Sequence, residues 1–379
     1  MKLDVDLIKL CLGNYNSFLL DKPNSKLWCC GNNDYGELGL GDTTDRTVFT
    51  AIDIEDIKDV FSGYYHTLII KNDGTVWCCG RNNRGQLGLG DNTDRNVFTK
   101  VDIDDVKDIR CNGYYTYIIK NDNTVWSCGH NNRGQLGLGD TTNRNVFTKV
   151  NIDNVKDIIC GYTHTFIIKN DNTVWCCGNN EYGELGLGDN DNRSIFTKVD
   201  IDNVKVLISK SQHTFIIKND NTIYGVGYNE SGGLGLGDFT SRNTFTKVDV
   251  DNVKELVCGN SNTFIVKNDN TLYSCGLNYR GQLGLGNTDD INVFTKVDTE
   301  DVKDVICGGF HTFIIKNDNS VYSCGMNFDG QLGLGDNDIN SIISTFTKVD
   351  LKDIIKISST LELAGVEHLV KLLSMNKLR

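Results

Sequence analysis

The octet RGQLGLGD at Arg84–Asp91 returns unchanged at Arg133–Asp140 and with small variations at five other places. The first glycine of its GLG core falls at Gly39, Gly88, Gly137, Gly186, Gly235, Gly284 and Gly333, so successive copies stand 49 residues apart (88 − 39 = 49). A constant period over seven copies specifies one supersecondary unit built seven times. It overrides the two or three separate domains that a length of 379 residues would otherwise imply.

One period predicts four short strands: VKDIIC (Val155–Cys160), HTFIIK (His164–Lys169), TVWCCG (Thr173–Gly178) and IFTKV (Ile195–Val199). They are rich in β-branched and aromatic residues and are divided by Gly, Asn and Asp. No segment of the period is helical in pattern. The K-N-D-N-T between the second and third strands, with Gly74 replacing the last Asn in one copy, reads as a hairpin that needs a left-handed residue. Runs such as FII and VWCC are apolar at consecutive positions, which means that both faces of the sheet are covered. Seven four-stranded sheets, each covered by its neighbours, predict an all-β, seven-bladed β-propeller. A straight solenoid would need distinct polar caps, and the first and last repeats look like the middle ones.

The octet then reads as architecture. A chain that leaves the third strand and crosses a crowded blade needs glycines free to take positive φ and to approach other backbones. Leu38, Leu40 and their equivalents are expected to be pegs between blades. Asn33, Asn82, Asn131, Asn180, Asn229, Asn278 and Asn327 are expected to tie the loop's backbone groups. Nucleotide binding does not fit, because no helix and no Lys-Ser/Thr pair follow the glycines.

A hydrophobic fraction of 39% suffices for a core, and a net charge of −12 argues against nucleic acid as partner. The start MKLDVDLIKL lacks a secretory pattern and no stretch is long and apolar enough to span a bilayer, which predicts a cytoplasmic or nuclear chain without membrane contact. The fourteen cysteines fall at recurrent repeat positions shared with Ser, Gly and Val, which predicts small buried reduced side chains rather than disulfides or metal ligands. His66, His164, His213 and His311 share one repeat position beside a strand start, where hydrogen bonding to a neighbouring turn is the expected role. The aromatic strand position of Trp28, Trp77, Trp126 and Trp175 is read as core. No catalytic set, cofactor site or metal site emerges; GDNDNR lacks the pattern of a calcium loop.

Two features remain. The residue pair between Gly-x-Asn and Gly varies among copies and presents Tyr35, Arg84, Arg133, Tyr182, Tyr279, Arg280 and Phe328 on loops of one face, residue types favoured in protein interfaces. SSTLELAGVEHLVKLLSMNKLR (Ser358–Arg379) carries a capping box at Ser359 and Glu362 and a helical apolar stripe, so the domain reading is a propeller over residues 1–357 and an amphipathic helix or tail over 358–379. The first strand type occurs an eighth time at Leu351–Ile357, which places both terminal copies at the seam of the ring.

Blocks such as GYYHTLIIKNDGTVWCCGRNNRGQLGLGD (Gly63–Asp91) resemble the repeat of the regulator of chromosome condensation (RCC1) family, over about residues 4–357. The resemblance implies a seven-bladed propeller. It implies several roles as well: nucleotide exchange on the Ran GTPase, modules in ubiquitin ligases, trafficking scaffolds, a photoreceptor and enzyme inhibitors. Fold therefore does not settle function. Six of seven repeats have the minimal period, and only the last is longer, at Asp336–Phe346, so no wedge for a GTPase stands out. The expectation is a monomeric, non-enzymatic protein–protein interaction scaffold. The alternatives are a guanine-nucleotide exchange factor for a Ran-like small GTPase and an adaptor module for ubiquitin ligation.

Overall fold

In the computed structural model, which describes residues 8–13, 16–21, 25–318, 320–327, 332, 334 and 342–349, each period folds into one four-stranded antiparallel sheet, here called a blade. The seven blades take consecutive strands, at residues 8–52, 57–100, 106–149, 155–198, 204–248, 253–296 and 302–348, and the order within each sheet follows the chain. The chain packs as two compact units, Met1–Glu181 with Asp189–Val204 and Tyr182–Gly188 with Lys205–Arg379. Blades 1 to 4 belong to the first and blades 5 to 7 to the second.

Blade 4 shows how closely the residues dictate this. Its strands are Val155–Cys160, His164–Lys169, Val174–Gly178 and Arg193–Lys198. The fourth begins two residues earlier than the apolar pattern predicts, because a register shift between Cys176 and Gly178 brings Gly178 opposite Arg193. Asn172, which closes the hairpin, has φ of 62°. Burial is uneven across the sheet. The second strand of blade 2, His66–Lys71, is buried at five consecutive positions, whereas the fourth, Arg95–Lys100, has no buried residue. The double coverage predicted for the whole sheet thus holds for its middle strands.

The core lies between consecutive blades. In the first unit Phe18, Leu20, Leu27 and Leu38 of blade 1 pack with Ile57, Val60 and Ile69 of blade 2. In the second unit Phe264, Leu272 and Leu283 of blade 6 pack with Val302, Val305 and Ile314 of blade 7. Leu38 is a fully buried peg, and the rest of its octet is a strap laid on the next blade. Leu40 bridges Val97, and the Gly41 N–H donates to the Asn96 carbonyl at 2.8 Å. Gly39 shows why glycine is needed: its φ is 72°, and a Cβ there would lie 2.4 Å from the Phe98 ring. The asparagine ties form as the sequence implies, with Asn82 Nδ2 donating to the Asp91 carbonyl (3.0 Å) and Leu87 N–H donating to Asn82 Oδ1 (3.0 Å). An unforeseen clasp closes the strap, Asp91 to Arg95 at 2.6 Å, repeated as Asp42–Arg46 and Asp238–Arg242.

The His-Thr pair bonds in both directions along each unit: the threonine bonds the octet turn of the preceding blade, as expected, and the histidine bonds the threonine of the following one. Thr67 Oγ1 donates back to the Glu37 carbonyl of blade 1 (2.8 Å), and Thr116 Oγ1 to the Gln86 carbonyl of blade 2 (2.9 Å). With its proton so used, Thr116 Oγ1 accepts from His66 Nε2–H (3.0 Å). His213 and Thr263 repeat the bond at 3.2 Å in the second unit. Burial pushes the pKa of His66 down to about 3 and those of His213 and His311 to about 4, so the rings are neutral. A partner position went unread in the sequence. Gly63 and Gly161, three residues before His66 and His164, sit where a Cβ would meet the ring at 2.2 and 2.4 Å.

The described cysteine side chains are thiols rather than disulfides, and burial raises most of their pKa values, that of Cys160 to about 12. The tryptophans are half-buried, and Trp77, Trp126 and Trp175 pack against the core from its margin. Trp77 donates from Nε1 to Thr75 Oγ1 (3.1 Å) and is covered by Lys71 Nζ, 4.7 Å from its ring centroid. The N-terminal strand copy, Ile8–Leu12, is the first strand of blade 1, paired with Asn16–Asp21. Its C-terminal counterpart at 351–357, the insertion at 335–341, Gly333 and the expected helix over 358–379 lie outside the described residues. Among the described residues no helix is long and apolar enough to cross a membrane, and no group of His, Cys, Asp or Glu could hold a metal ion.

Candidate functional site

In an up-and-down sheet the loops after the first and third strands leave by the same edge. Backbone bonds hold those loops together here: Arg81 N–H donates to the Tyr65 carbonyl (2.8 Å), His130 N–H to Tyr114 (2.9 Å), and Tyr64 N–H to Gly113 of the next blade (3.1 Å). The side chains they present in the first unit form one cluster. Tyr64 lies 5.3 Å from Tyr65, 5.7 Å from Tyr114 and 5.3 Å from Tyr162, centroid to centroid, and Tyr35 lies 5.2 Å from Tyr65. Edge-on and tilted packing at these distances is the favoured geometry for aromatic pairs. The Arg81 guanidinium sits within it, 4.4 Å from the Tyr35 centroid, 5.3 Å from Tyr114 and 5.6 Å from Tyr65.

All of these side chains are half-buried, so each ring keeps part of its surface at the loop edge. Arg81 Nε is buried and has no hydrogen-bond partner among the described residues. Three further groups border the cluster. His130 packs edge-on to Tyr114 at 6.4 Å and bonds Gln135 through Nδ1 (3.1 Å). Burial, with Arg84 and Arg133 nearby, pushes the His130 pKa down to about 4. Arg84 is exposed, and Arg133 pairs with Glu181 at 2.5 Å.

Of the residues singled out by sequence, Tyr35, Arg84 and Arg133 fall in or beside this cluster. In the second unit Tyr182 packs on Tyr228 at 5.0 Å, Tyr279 packs on Phe310 at 5.7 Å, and the Arg280 guanidinium lies 5.0 Å from the Tyr279 centroid. Phe328 lies outside the described residues. The expectation of fully exposed loop tips needs correction. In each described pair the first residue is exposed, as at Asp34, Asn83, Asn132 and Glu181, but the second is half-buried at Tyr35, Arg133, Tyr182 and Arg280, and Ser231 is buried. The second residue's N–H is engaged under the loop, for example Tyr35 N–H to Glu37 Oε2 at 2.9 Å and Arg84 N–H to Gln86 Oε1 at 3.0 Å.

Tyr64, Tyr65, Arg81, Tyr114, His130 and Tyr162 escaped the sequence reading. The signal for them was the stretch before the His position (GYYH, GYYT, GYTH) and the residue within Gly-x-Asn, both variable among copies.

The repeats match two profiles described as the Regulator of chromosome condensation (RCC1) repeat, one at residues 57–86, 106–135, 155–184, 253–282 and 302–331, the other at 24–70, 73–119, 122–168 and 269–315. No curated protein matches the sequence. Solved structures do. Yeast RCC1 (Prp20) bound to Kap60 is similar with a TM-score of 0.74 at 18% identity, over 92% of this chain and 85% of that one. Prp20p from Saccharomyces cerevisiae gives 0.73 at 20% identity, over 93% and 88%. Human WBSCR16 gives 0.68 at 20% identity, over 83% and 87%. At such identities the likeness speaks for the fold alone, a seven-bladed β-propeller.

Proposed function

Because the chain belongs to the regulator of chromosome condensation (RCC1) repeat family, we propose that it is a non-enzymatic protein-binding propeller that engages its partner through the tyrosine and arginine cluster of its first unit. The observation that carries this reading is a cluster of five half-buried tyrosines at a loop edge, three of which pack on one guanidinium. Tyrosine and arginine are enriched in binding hot spots, tyrosine because it buries much area with few rotors and keeps a polar tip, arginine because its planar guanidinium stacks on rings and donates several hydrogen bonds. The histidine beside the cluster is neutral, with Nδ1 engaged by Gln135. Cysteines held as thiols suit a reducing compartment, cytoplasm or nucleus.

The test is quantitative capture of cellular proteins on the full chain and on the Tyr64→Ala/Tyr114→Ala variant. Partners should be lost from the variant while its melting temperature stays close to that of the wild type. Undiminished capture contradicts the reading.

The Prp20p structure favours one rival, since its description names binding to Gsp1p and histones. Under that rival the chain is an exchange factor for a small GTPase. Release of labelled nucleotide from a Ran-like GTPase separates the two, because an exchange factor works at catalytic amounts by stabilising the nucleotide-free state.

A further inference from the structure

We infer that the partner segment held by this cluster is an acidic linear peptide whose carboxylate is received by Arg81 and Arg84. The inference rests on the reading above and adds the partner's chemistry.

Three observations carry it. First, the cations outnumber the acids that answer them. Arg81, Arg84 and Arg133 meet at this edge, yet among the described residues only Arg133 has an ion pair, with Glu181. Asp34, beside Tyr35, is the other acid exposed at this edge, and it forms no ion pair with Arg81 or Arg84 among the described residues, so in a chain of net charge −12 two arginines here stand outside ion pairs. Second, Arg81 Nε is a desolvated donor without an acceptor. A buried donor without an acceptor is destabilising until it is satisfied, and a partner's carboxylate oxygen is the acceptor that pairs best with a guanidinium edge. Third, Arg81 is oriented before any partner arrives. Stacking against Tyr35, Tyr65 and Tyr114 fixes the guanidinium plane, which reduces the entropy lost on binding.

The same observations favour a peptide over a nucleic acid. A strand brings one charge per phosphate onto an acidic protein that offers two unpaired arginines here, whereas a peptide brings one or two carboxylates together with apolar side chains for the tyrosine faces.

The test uses the full chain and three fluorescein-labelled probes read by anisotropy at about 50 mM salt, where surface charge is weakly screened: octaglutamate, octaglutamine and an eight-nucleotide thymidine strand. Octaglutamate should bind at least about tenfold more tightly than octaglutamine and lose affinity as salt rises. Arg84→Gln, at an exposed site that leaves the fold intact, should weaken octaglutamate by about tenfold. Arg81→Lys, which keeps the charge but not the Nε donor or the plane, should weaken it as well. Equal binding of the two peptides, tighter binding of thymidine, or indifference to both substitutions overturns the inference. If those results come while Tyr64→Ala/Tyr114→Ala still abolishes capture of cellular partners, the protein-binding reading stands and only the acidic partner falls.

Discussion

Glu37 offers a quantitative check on the packing beneath the candidate surface. It occupies the octet position held by Gln86, Gln135 and Gln282 in other blades, and its side chain is fully buried. Oε2 accepts the Tyr35 N–H, while Oε1 has no partner among the described residues. Burial first, with Asp34 and Asp45 adding to it, raises the pKa from 4.5 to about 7. A carboxyl with a raised folded pKa costs the fold stability as pH climbs from the unfolded value towards the folded one, because only the folded state resists ionisation. The interval from 4.5 to about 7 at about 1.4 kcal/mol per pH unit gives about 3 kcal/mol at pH 8. Asp34 and Asp45 are exposed and screened, so their share is smaller in solution and about 2 kcal/mol is a fair lower figure.

Glu37→Gln keeps the acceptor for Tyr35, as Gln86 does for Arg84 at 3.0 Å, and removes the charge. Urea unfolding of wild type and variant across the range from about pH 5 to about pH 8 should show near-equal stability at the acid end and a gap of about 2–3 kcal/mol in favour of the variant at the alkaline end. A gap that does not change with pH, or a variant less stable at pH 8, refutes the assignment of a buried and poorly solvated carboxyl.

The histidine relay gives the opposite slope. For His213 the folded pKa of about 4 lies below the ordinary 6.5, so its contribution is complete above pH 6.5 and declines as pH falls towards 4. His213→Asn, the residue found at Asn16 and Asn262, should flatten the loss of stability in that window, measured by thermal melting at several pH values. Gly88→Val should destabilise by about 2–5 kcal/mol in denaturant unfolding, since φ is 69° and a Cβ would lie 2.4 Å from the Phe147 ring. Catalytic amounts of the chain should leave nucleotide release from a Ran-like GTPase unaccelerated, and a rise in that rate would falsify the non-enzymatic reading.

The blades were legible because one pattern is written seven times. The strand starts at Val155 and His164, the hairpin at Asn172 and the strap glycines could each be compared across copies, and the period separated structure from drift. The strap's landing place was not legible. That Gly39 abuts Phe98 follows from one blade leaning on the next, a contact between residues 59 apart in sequence (98 − 39 = 59) that no local propensity records. The tyrosine cluster was hidden for the same reason. Its members come from blades 1 to 4 and from two different loops: Tyr114 stands one period after Tyr65 (65 + 49 = 114), whereas Gly113, with φ of 48°, replaces Tyr64 in that copy. The varying pair at Tyr35, Arg84 and Arg133 led to the right edge of the sheets, because loops after the third strand must leave there. It could not show which neighbours complete the surface.

Site-specific photo-crosslinking tests the central claim most directly. Benzoylphenylalanine is placed in turn at Tyr64, at Tyr162 and, as a control on the opposite edge of the sheets, at Asp122 in the exposed hairpin of blade 3. Irradiation of the full chain with its captured partners should give protein adducts at Tyr64 and Tyr162 and none at Asp122. Adducts confined to Asp122, or equal at all three positions, would contradict a partner bound through the tyrosine and arginine cluster.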